Sequence, residues 1–322
     1  MRRMIRVLAL PVLLLAAGWT GWWVYALGLG RAELARLADE ATSSGVRVRC
    51  GSPSWSGFPI QIRLACQPFS LDVTATGETV LEVPHLQFLA QLFDAGRILA
   101  VADGAMQLGN RKESLTLAPT RFVASFRHSG PEEFAVFGEQ VETGSGFAAG
   151  LLNMRLTRDS GGDPRRIVFA LEARDAFFGL PVAADTPFEQ VTATGSVSTA
   201  DAASLAAPAL LGALKLEGTV LQIESLRLHQ KDVTVSGRGT LAVDEASQLD
   251  GKLNLTIENA GGLIGRFEAA GLLTPSEARN GSMLLGLLAG DTGKVRISLQ
   301  ANDGEIFLGP VKLGRLKPLS GS

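Results

Sequence analysis

Between Val233 and Ile257 the apolar residues fall on every second position. Val233, Val235, Leu241 and Val243 alternate with polar neighbours, with Gly237 and Gly239 in the same phase, and after the polar "DEASQ" the pattern resumes at Leu249, Leu253, Leu255 and Ile257. A period of two gathers these side chains on one face of a pleated strand, whereas a helix would scatter them around its axis. The stretch therefore predicts two antiparallel strands joined by a short turn. "LQIESLRLH" precedes it across a turn at 229–232, and "KVRISLQA" follows with Val295, Ile297 and Leu299 in phase. Further upstream "VRV", "IQIRL", "FSLDVTA", "TVLEV", "LTLAPTRFVASFRH", "LLNMRLTR" and "RRIVFALEAR" are short β-branched or alternating pieces of the same kind. The expected fold is mainly β with a few helices: an elongated, curved antiparallel β-sheet, either an open groove or a closed sandwich. Small Gly237 and Gly239 mark where such a wall bends or a chain lies close.

Charged residues make up 19% of the chain and hydrophobic ones 46%, a balance that suits a folded core and not wholesale disorder. The formal charge of −2 and the lack of a dense basic cluster give no electrostatic reason to expect nucleic acid as a partner.

The N-terminus carries a second strong signal. Arg2, Arg3 and Arg6 precede a run from Val7 to Gly30 without Asp, Glu, Lys or Arg, long enough at about 1.5 Å per residue to cross a hydrocarbon core. Residues 1–30 read as a transmembrane anchor. The positive-inside rule then places the N-terminus in the cytoplasm and the body in the periplasm, on a single-pass inner-membrane protein. Trp19, Trp22, Trp23 and Tyr25 crowd the exit end, where amphipathic rings prefer the interface. The rival reading is a signal peptide cleaved near Val24-Tyr25-Ala26, which would release the body to the periplasm.

Export gives the two cysteines a meaning. Cys50 and Cys66 enclose a loop of about 15 residues, and in an oxidising compartment they are expected as a disulfide worth roughly 3 kcal/mol. Two free buried thiols are the alternative. Inside the loop, Pro53, Gly57 and Pro59 break regular pairing, while Trp55 and Phe58 need a dry destination. Trp55, Phe58 and Pro59 thus form an apolar loop directed beneath the sheet, to the bilayer surface or to an apolar ligand.

Residues 31–45 read as an amphipathic linker helix, 46–200 as a first β-rich half, and 201–322 as a second β-rich half with a helical hairpin over 260–290. "DAASLAAPALLGAL", 201–214, is expected as a helix kinked at Pro208. Thr274, Pro275 and Glu277 have the order of a capping box around a first-turn proline.

Reactive constellations are weak. His85, His128 and His229 are far apart, with no metal-ligand spacing. Ser56 lies in Trp-Ser-Gly, which lacks the first glycine of a nucleophile elbow. "GSGFAAG" has the wrong last spacing for a dinucleotide loop, and "GDTGKV" puts Leu288 and Val295 where a phosphate-binding loop needs Gly and Ser/Thr. Asp244, Glu245 and Asp303 fall at turns, where solvation accounts for them. The expectation is no enzyme, no cofactor and no metal.

The anchor, the "SGFPIQIRLAC" loop and the closing "DGEIFLGPVKLGRLKPL" together resemble a family of uncharacterised, membrane-anchored periplasmic proteins of alphaproteobacteria, with a Gly57-Phe58-Pro59 step and paired cysteines. That resemblance implies no activity. "LEVPHLQFLAQLFDAGRILAVADGAMQL" is more distantly similar in rhythm to AsmA-like envelope proteins, which implies strands wrapped around an elongated groove and a role in lipid passage.

Two functions are open at this point. In one, the protein handles phospholipid or another apolar ligand in cell-envelope maintenance, and Val233, Val235, Leu241, Val243, Leu253, Leu255 and Ile257 line the groove. In the other, those side chains form a closed core with no ligand, and the protein is a structural or assembly partner of another envelope protein.

Overall fold

The computed structural model describes residues 2–315 apart from 44, 74–77, 92, 110–113, 120, 128–131, 144–145, 160–165, 179–185, 199–217, 245–247, 270–273, 290–292 and 309–310. Two compact units divide at Ser114 and Leu115.

The first unit begins with α1 (Arg2–Ser43), one unbroken helix where the sequence reading separates an anchor over 1–30 from a linker helix over 31–45. It stops where Gly45, at φ 88°, takes a left-handed turn and donates its N–H to the Thr42 carbonyl at 3.1 Å. Among the described residues no helix is long and apolar enough to cross a membrane. The side chains of residues 2–13, which open the uncharged run, lie outside the described residues.

Behind the helix the short alternating segments pair into two antiparallel sheets. One orders β1 (Val46–Cys50), β4 (Phe69–Val73), β5 (Glu78–Val83) and β8 (Met106–Gly109); the other orders β2 (Ser54–Ser56), β3 (Gln61–Cys66), β6 (His85–Gln91) and β7 (Asp94–Asp103). Their apolar alternates are buried: Phe69, Leu71 and Val83 from the first sheet, Leu64, Leu86 and Ala102 from the second. Phe69 meets Phe88 of the other sheet edge-on, with ring centroids 5.5 Å apart. The expected disulfide is formed, and Cys50–Cys66 ties β1 to β3 across the two sheets. Buried Asp72 is compensated by an ion pair with Arg49.

After β9 (Ser114–Leu117) the second unit is a meander. β10 (Arg121–Arg127), β11 (Glu133–Glu142), β12 (Ala148–Arg158), β13 (Arg166–Ala176), β14 (Phe188–Ser198), β15 (Val220–Gln230), β16 (Val233–Val243), β17 (Leu249–Glu258), β18 (Lys294–Asn302), β19 (Glu305–Leu308) and β20 (Val311–Arg315) each pair antiparallel with the next. Between β17 and β18 the chain inserts α2 (Ala260–Ala269) and α3 (Pro275–Ala289), which pack on each other and against β16 and β18. The sequence reading divides the β-rich body at 200/201, but β14 and β15 on either side of that point are neighbours in one sheet, paired from Gln190–His229 to Ser198–Val220. Residues 201–214, read as a kinked helix, lie outside the described residues, as does the Glu277 side chain of the capping box.

The Cys50–Cys66 bridge generates the first prediction. Replacing both cysteines by serine is expected to lower the stability of the first unit by about 2–4 kcal/mol. Denaturant unfolding monitored by tryptophan fluorescence checks it.

Candidate functional site

Antiparallel pairing carries side-chain parity from one strand to the next, so the register shows which residues share a face. Leu152, Ala173, Val191, Leu228, Val235, Ile257 and Val295 are successive partners from β12 to β18 and form one apolar row across the strands. Two residues along lies a second row of Val136, Met154, Leu171, Ala193, Leu226, Gly237, Leu255 and Ile297, and beyond it a third of Phe134, Leu156, Phe169, Gly195, Ile223, Gly239, Leu253 and Leu299. The opposite face carries Arg155, Thr240, Arg238, Lys252, Asn254 and Arg296. A sheet with one oily and one polar face must cover the oily one.

Cover is unequal along the strands. The first row is closed at two places. Val233, Ile257 and Val295 are buried with Ala260 of α2, and Val235, Ala289 and Ile297 pack around them. Ala173, Ala176 and Val191 are buried with Phe147 and Phe188 against them, and Phe178 bridges those two rings at centroid distances of 5.5 and 5.4 Å. In the second and third rows most side chains are only half-buried, Met154, Leu171, Leu226, Leu255, Ile297 and Leu253 among them. Among the described residues the second unit has no second sheet to lay over them.

The band is also bent. The pairings on both sides of β15 shift between Ile223 and Leu226, where β15 carries one extra residue, and Gly195, Ile223, Gly239 and Leu253 are consecutive partners. The bulge bends β15 where that line of partners crosses it. The glycines in the line are required by space: a Cβ on Gly195 would run into the Gln222 carbonyl, and one on Gly239 into the Lys252 carbonyl. Gly251 at φ 138° would meet the Thr240 carbonyl in the same way.

The seven nominated residues thus stand on one face in unequal settings. Val233 and Ile257 are buried beneath α2, Val235 packs against that cluster, and Leu241, Val243, Leu253 and Leu255 are half-buried. The nominated lining was confined to β16 and β17: Val295, Ile297 and Leu299 of β18 were read in phase with it but not named as lining, and the contributions of β11 to β15 were left out. Their alternation is visible in "FAVFGE", "LLNMRL" and "VSTA"-flanked "TATGSV", but only the pairing register shows which alternate joins the Val235 face.

The loop residues belong to the first unit and lie against α1. Trp55 is half-buried with the Arg31 guanidinium 5.4 Å from its ring centroid. Phe58 sets its ring edge-on to Trp23 at 5.5 Å, and the Pro59 carbonyl accepts a hydrogen bond from the Trp19 indole N–H at 3.0 Å.

Other candidates reduce to local structure. An open depression of about 400 Å³ lies around Thr240, Ala242, Lys252 and Asn254, on the polar face and the neighbouring strand backbone. Asp244, Asp250 and Asp303 bring carboxylate oxygens within 4.8 Å of one another. Asp244 accepts the Gln248 N–H and Asp250 the Asp303 N–H, both at 2.7 Å, so these two groups already close turns. Gly146 at φ 91° and Gly293 at φ 63° place both phosphate-loop look-alikes at turns. His229 faces Thr234 and Glu189, His85 is exposed on β6, and His128 lies outside the described residues.

On the polar face the Lys294 ammonium hydrogen-bonds the Glu258 carboxylate, and with its charge, helped by Arg227, holds Glu258 below the usual carboxylate range. A depressed carboxylate adds stability above its unfolded pKa, and that contribution is lost as pH falls through the folded value. Lys294→Met is therefore expected to raise the Glu258 titration midpoint toward the ordinary range, read by carboxyl NMR, and to remove this part of the acid dependence of stability. The glycine line yields a second expectation: Gly239→Ala destabilises the second unit by about 1–3 kcal/mol through forced displacement of β17, read as a lower denaturation midpoint.

No curated protein and no solved structure matches the chain. A family model described as "Uncharacterized protein conserved in bacteria (DUF2125)" matches residues 23–317, which include the Phe58-Pro59 loop, both cysteines and every strand of the bent sheet, and the chain belongs to that family.

Proposed function

We propose that this protein is held in the inner membrane by α1, with its body in the periplasm, and that it handles phospholipid or another apolar ligand on the bent face of β11 to β18. The observation that carries the reading is the half-buried second and third rows, an apolar band running across the strands with no second sheet over it among the described residues of that unit. Eight strands at about 4.8 Å spacing make that band roughly 34 Å long, enough for an extended acyl chain. Each half-buried Leu, Ile or Met would release on the order of 1 kcal/mol on full burial, so a chain laid along the band gains several kcal/mol without directional contacts. Such binding needs no cofactor, and none of the polar groups on the face would have to lose water.

Two further observations support the location. The Cys50–Cys66 bridge suits an oxidising compartment. The indoles of Trp19 and Trp23 donate to the Pro59 and Gln61 carbonyls, so the helix is packed into the first unit and not merely attached to it, which favours a retained anchor over a cleaved signal. The resemblance of 81–108 to AsmA-like proteins points to the same class of ligand.

Mass spectrometry of the protein extracted with its membrane and purified gently is expected to find bound phospholipid. The double variant Leu226→Asn with Leu255→Asn, folded by circular dichroism, should lose occupancy by about tenfold, because two amides in the band remove the gain of burying an acyl chain there. A lipid-free wild-type spectrum in every detergent-free preparation would refute the proposal and leave the closed-core assembly partner.

A further inference from the structure

Two tips of the first unit converge on the aromatic end of α1. The tip of the stapled loop, Phe58-Pro59-Ile60, reaches it through the Phe58 ring on Trp23 and the Trp19 N–H on the Pro59 carbonyl. The β6–β7 connection reaches it through Phe93, whose ring stacks on Trp19 with centroids 5.9 Å apart. Trp23 donates to the Gln61 carbonyl, at the base of the first tip. The tips therefore point down the helix toward its N-terminus, from Trp23 to Trp19, a distance of about 6 Å at 1.5 Å per residue.

Their apolar side chains are not consumed by these contacts. Phe58 is 54%, Ile60 58% and Phe93 76% exposed, and Trp22 and Tyr25 at the same level of the helix are exposed too. Adjacent exposed aromatic and aliphatic side chains on two separate tips need a partner. Their height supplies it. Trp and Tyr girdles sit at the headgroup boundary, so tips bonded to Trp19 and Trp23 stand at that boundary, with their ends up to one helical turn inside it. Arg31, eight residues further out from Trp23, stands about 12 Å above, clear of a headgroup layer about 6 Å thick.

We infer that Phe58, Ile60 and Phe93 insert into the periplasmic leaflet beside α1, forming with the helix a three-point membrane contact that fixes how the first unit stands on the bilayer. The inference rests on the anchored reading of α1. An insertion depth of one turn matches the 5–10 Å typical of interfacial side chains. The partner is a lipid surface, since hydrogen bonds to the Pro59 and Gln61 carbonyls satisfy two polar groups of the tip that would otherwise be costly at that depth.

The test uses the full chain in vesicles of phosphatidylethanolamine and phosphatidylglycerol. Both native cysteines are in the disulfide, so Ile60→Cys, Phe93→Cys, Leu15→Cys and Asn254→Cys can each be labelled singly with an environment-sensitive fluorophore. Labels at 60 and 93 are expected to be quenched by lipids with a doxyl group near the headgroup, the label at 15 by lipids with a doxyl group deep in the acyl chain, and labels at 60 and 93 about threefold less than the label at 254 by aqueous iodide. If 15 is quenched by doxyl lipid while 60 and 93 respond to iodide as 254 does, the anchor stands and the insertion is wrong. If 60 and 93 are shielded from both quenchers, a protein surface covers them and the lipid contact is equally overturned. If 15 is itself beyond the reach of doxyl lipid, the anchored reading and the insertion fall together.

Discussion

One constraint governs the second unit: each strand pairs with the strand that follows it, and antiparallel pairing transmits the phase of the apolar residues without loss. Val191, Leu228, Val235 and Ile257 must then lie on the same side, because β14, β15, β16 and β17 are successive partners in register. Among the described residues this meander has no strand to spare for a second sheet over its oily face. Cover has to come from segments inserted between strands or from bending. The described insertion, α2 with α3, reaches only the end of the sheet around Val233, Ile257 and Val295. Beyond that end the first row is covered again where Phe147 and Phe188 pack on Ala173, Ala176 and Val191, and the second and third rows are left half-buried.

Curvature in turn depends on where side chains are missing. Gly195, Gly237 and Gly239 fall on the apolar face, in the two rows that are least covered. Their first effect is to let neighbouring strands come close, since a Cβ at 237 would strike the Leu255 side chain and one at 239 the β17 backbone. Their second effect is to make room for neighbouring side chains: the Phe169 ring lies against Gly195 and the Leu255 side chain against Gly237. A larger residue at 195 or 237 would have to displace the Phe169 ring or the Leu255 side chain, so the shape of the wall and the packing of its apolar face change together.

The period of two was legible from sequence wherever a strand was long and its turn polar, which is why β16 and β17 could be placed to the residue. The stripe was nominated on two strands only, because register is a property of pairs and a bulge such as that between Ile223 and Leu226 reverses parity midway along a strand without any mark in composition. Burial was harder still. Val235 and Leu255 have the same pattern in the sequence, yet Val235 lies beside the α2 cluster and Leu255 beyond its reach. The division of the chain was misplaced for a related reason: the Ala/Leu-rich composition around 201–214 resembles a connector between domains, while the strands on either side of it are sheet neighbours. In the stapled loop the residue types announced a need for apolar surroundings. They could not say that two of the loop's carbonyls would be taken by indoles 38 and 40 residues earlier in the chain.

Those two hydrogen bonds also weigh on whether α1 is a passenger. A cut after Ala26 would remove Trp19 and Trp23, strip the donors from the Pro59 and Gln61 carbonyls, and unstack Phe58 and Phe93 from their ring partners. Cleaved signals leave the mature fold complete, so a segment that supplies hydrogen bonds and aromatic packing to two separate tips is better described as part of that fold. The disulfide reinforces the point mechanically. Cys50 and Cys66 hold both ends of the loop on the body, so the Phe58-Pro59 tip that meets the helix is closed at its base and is not a slack chain.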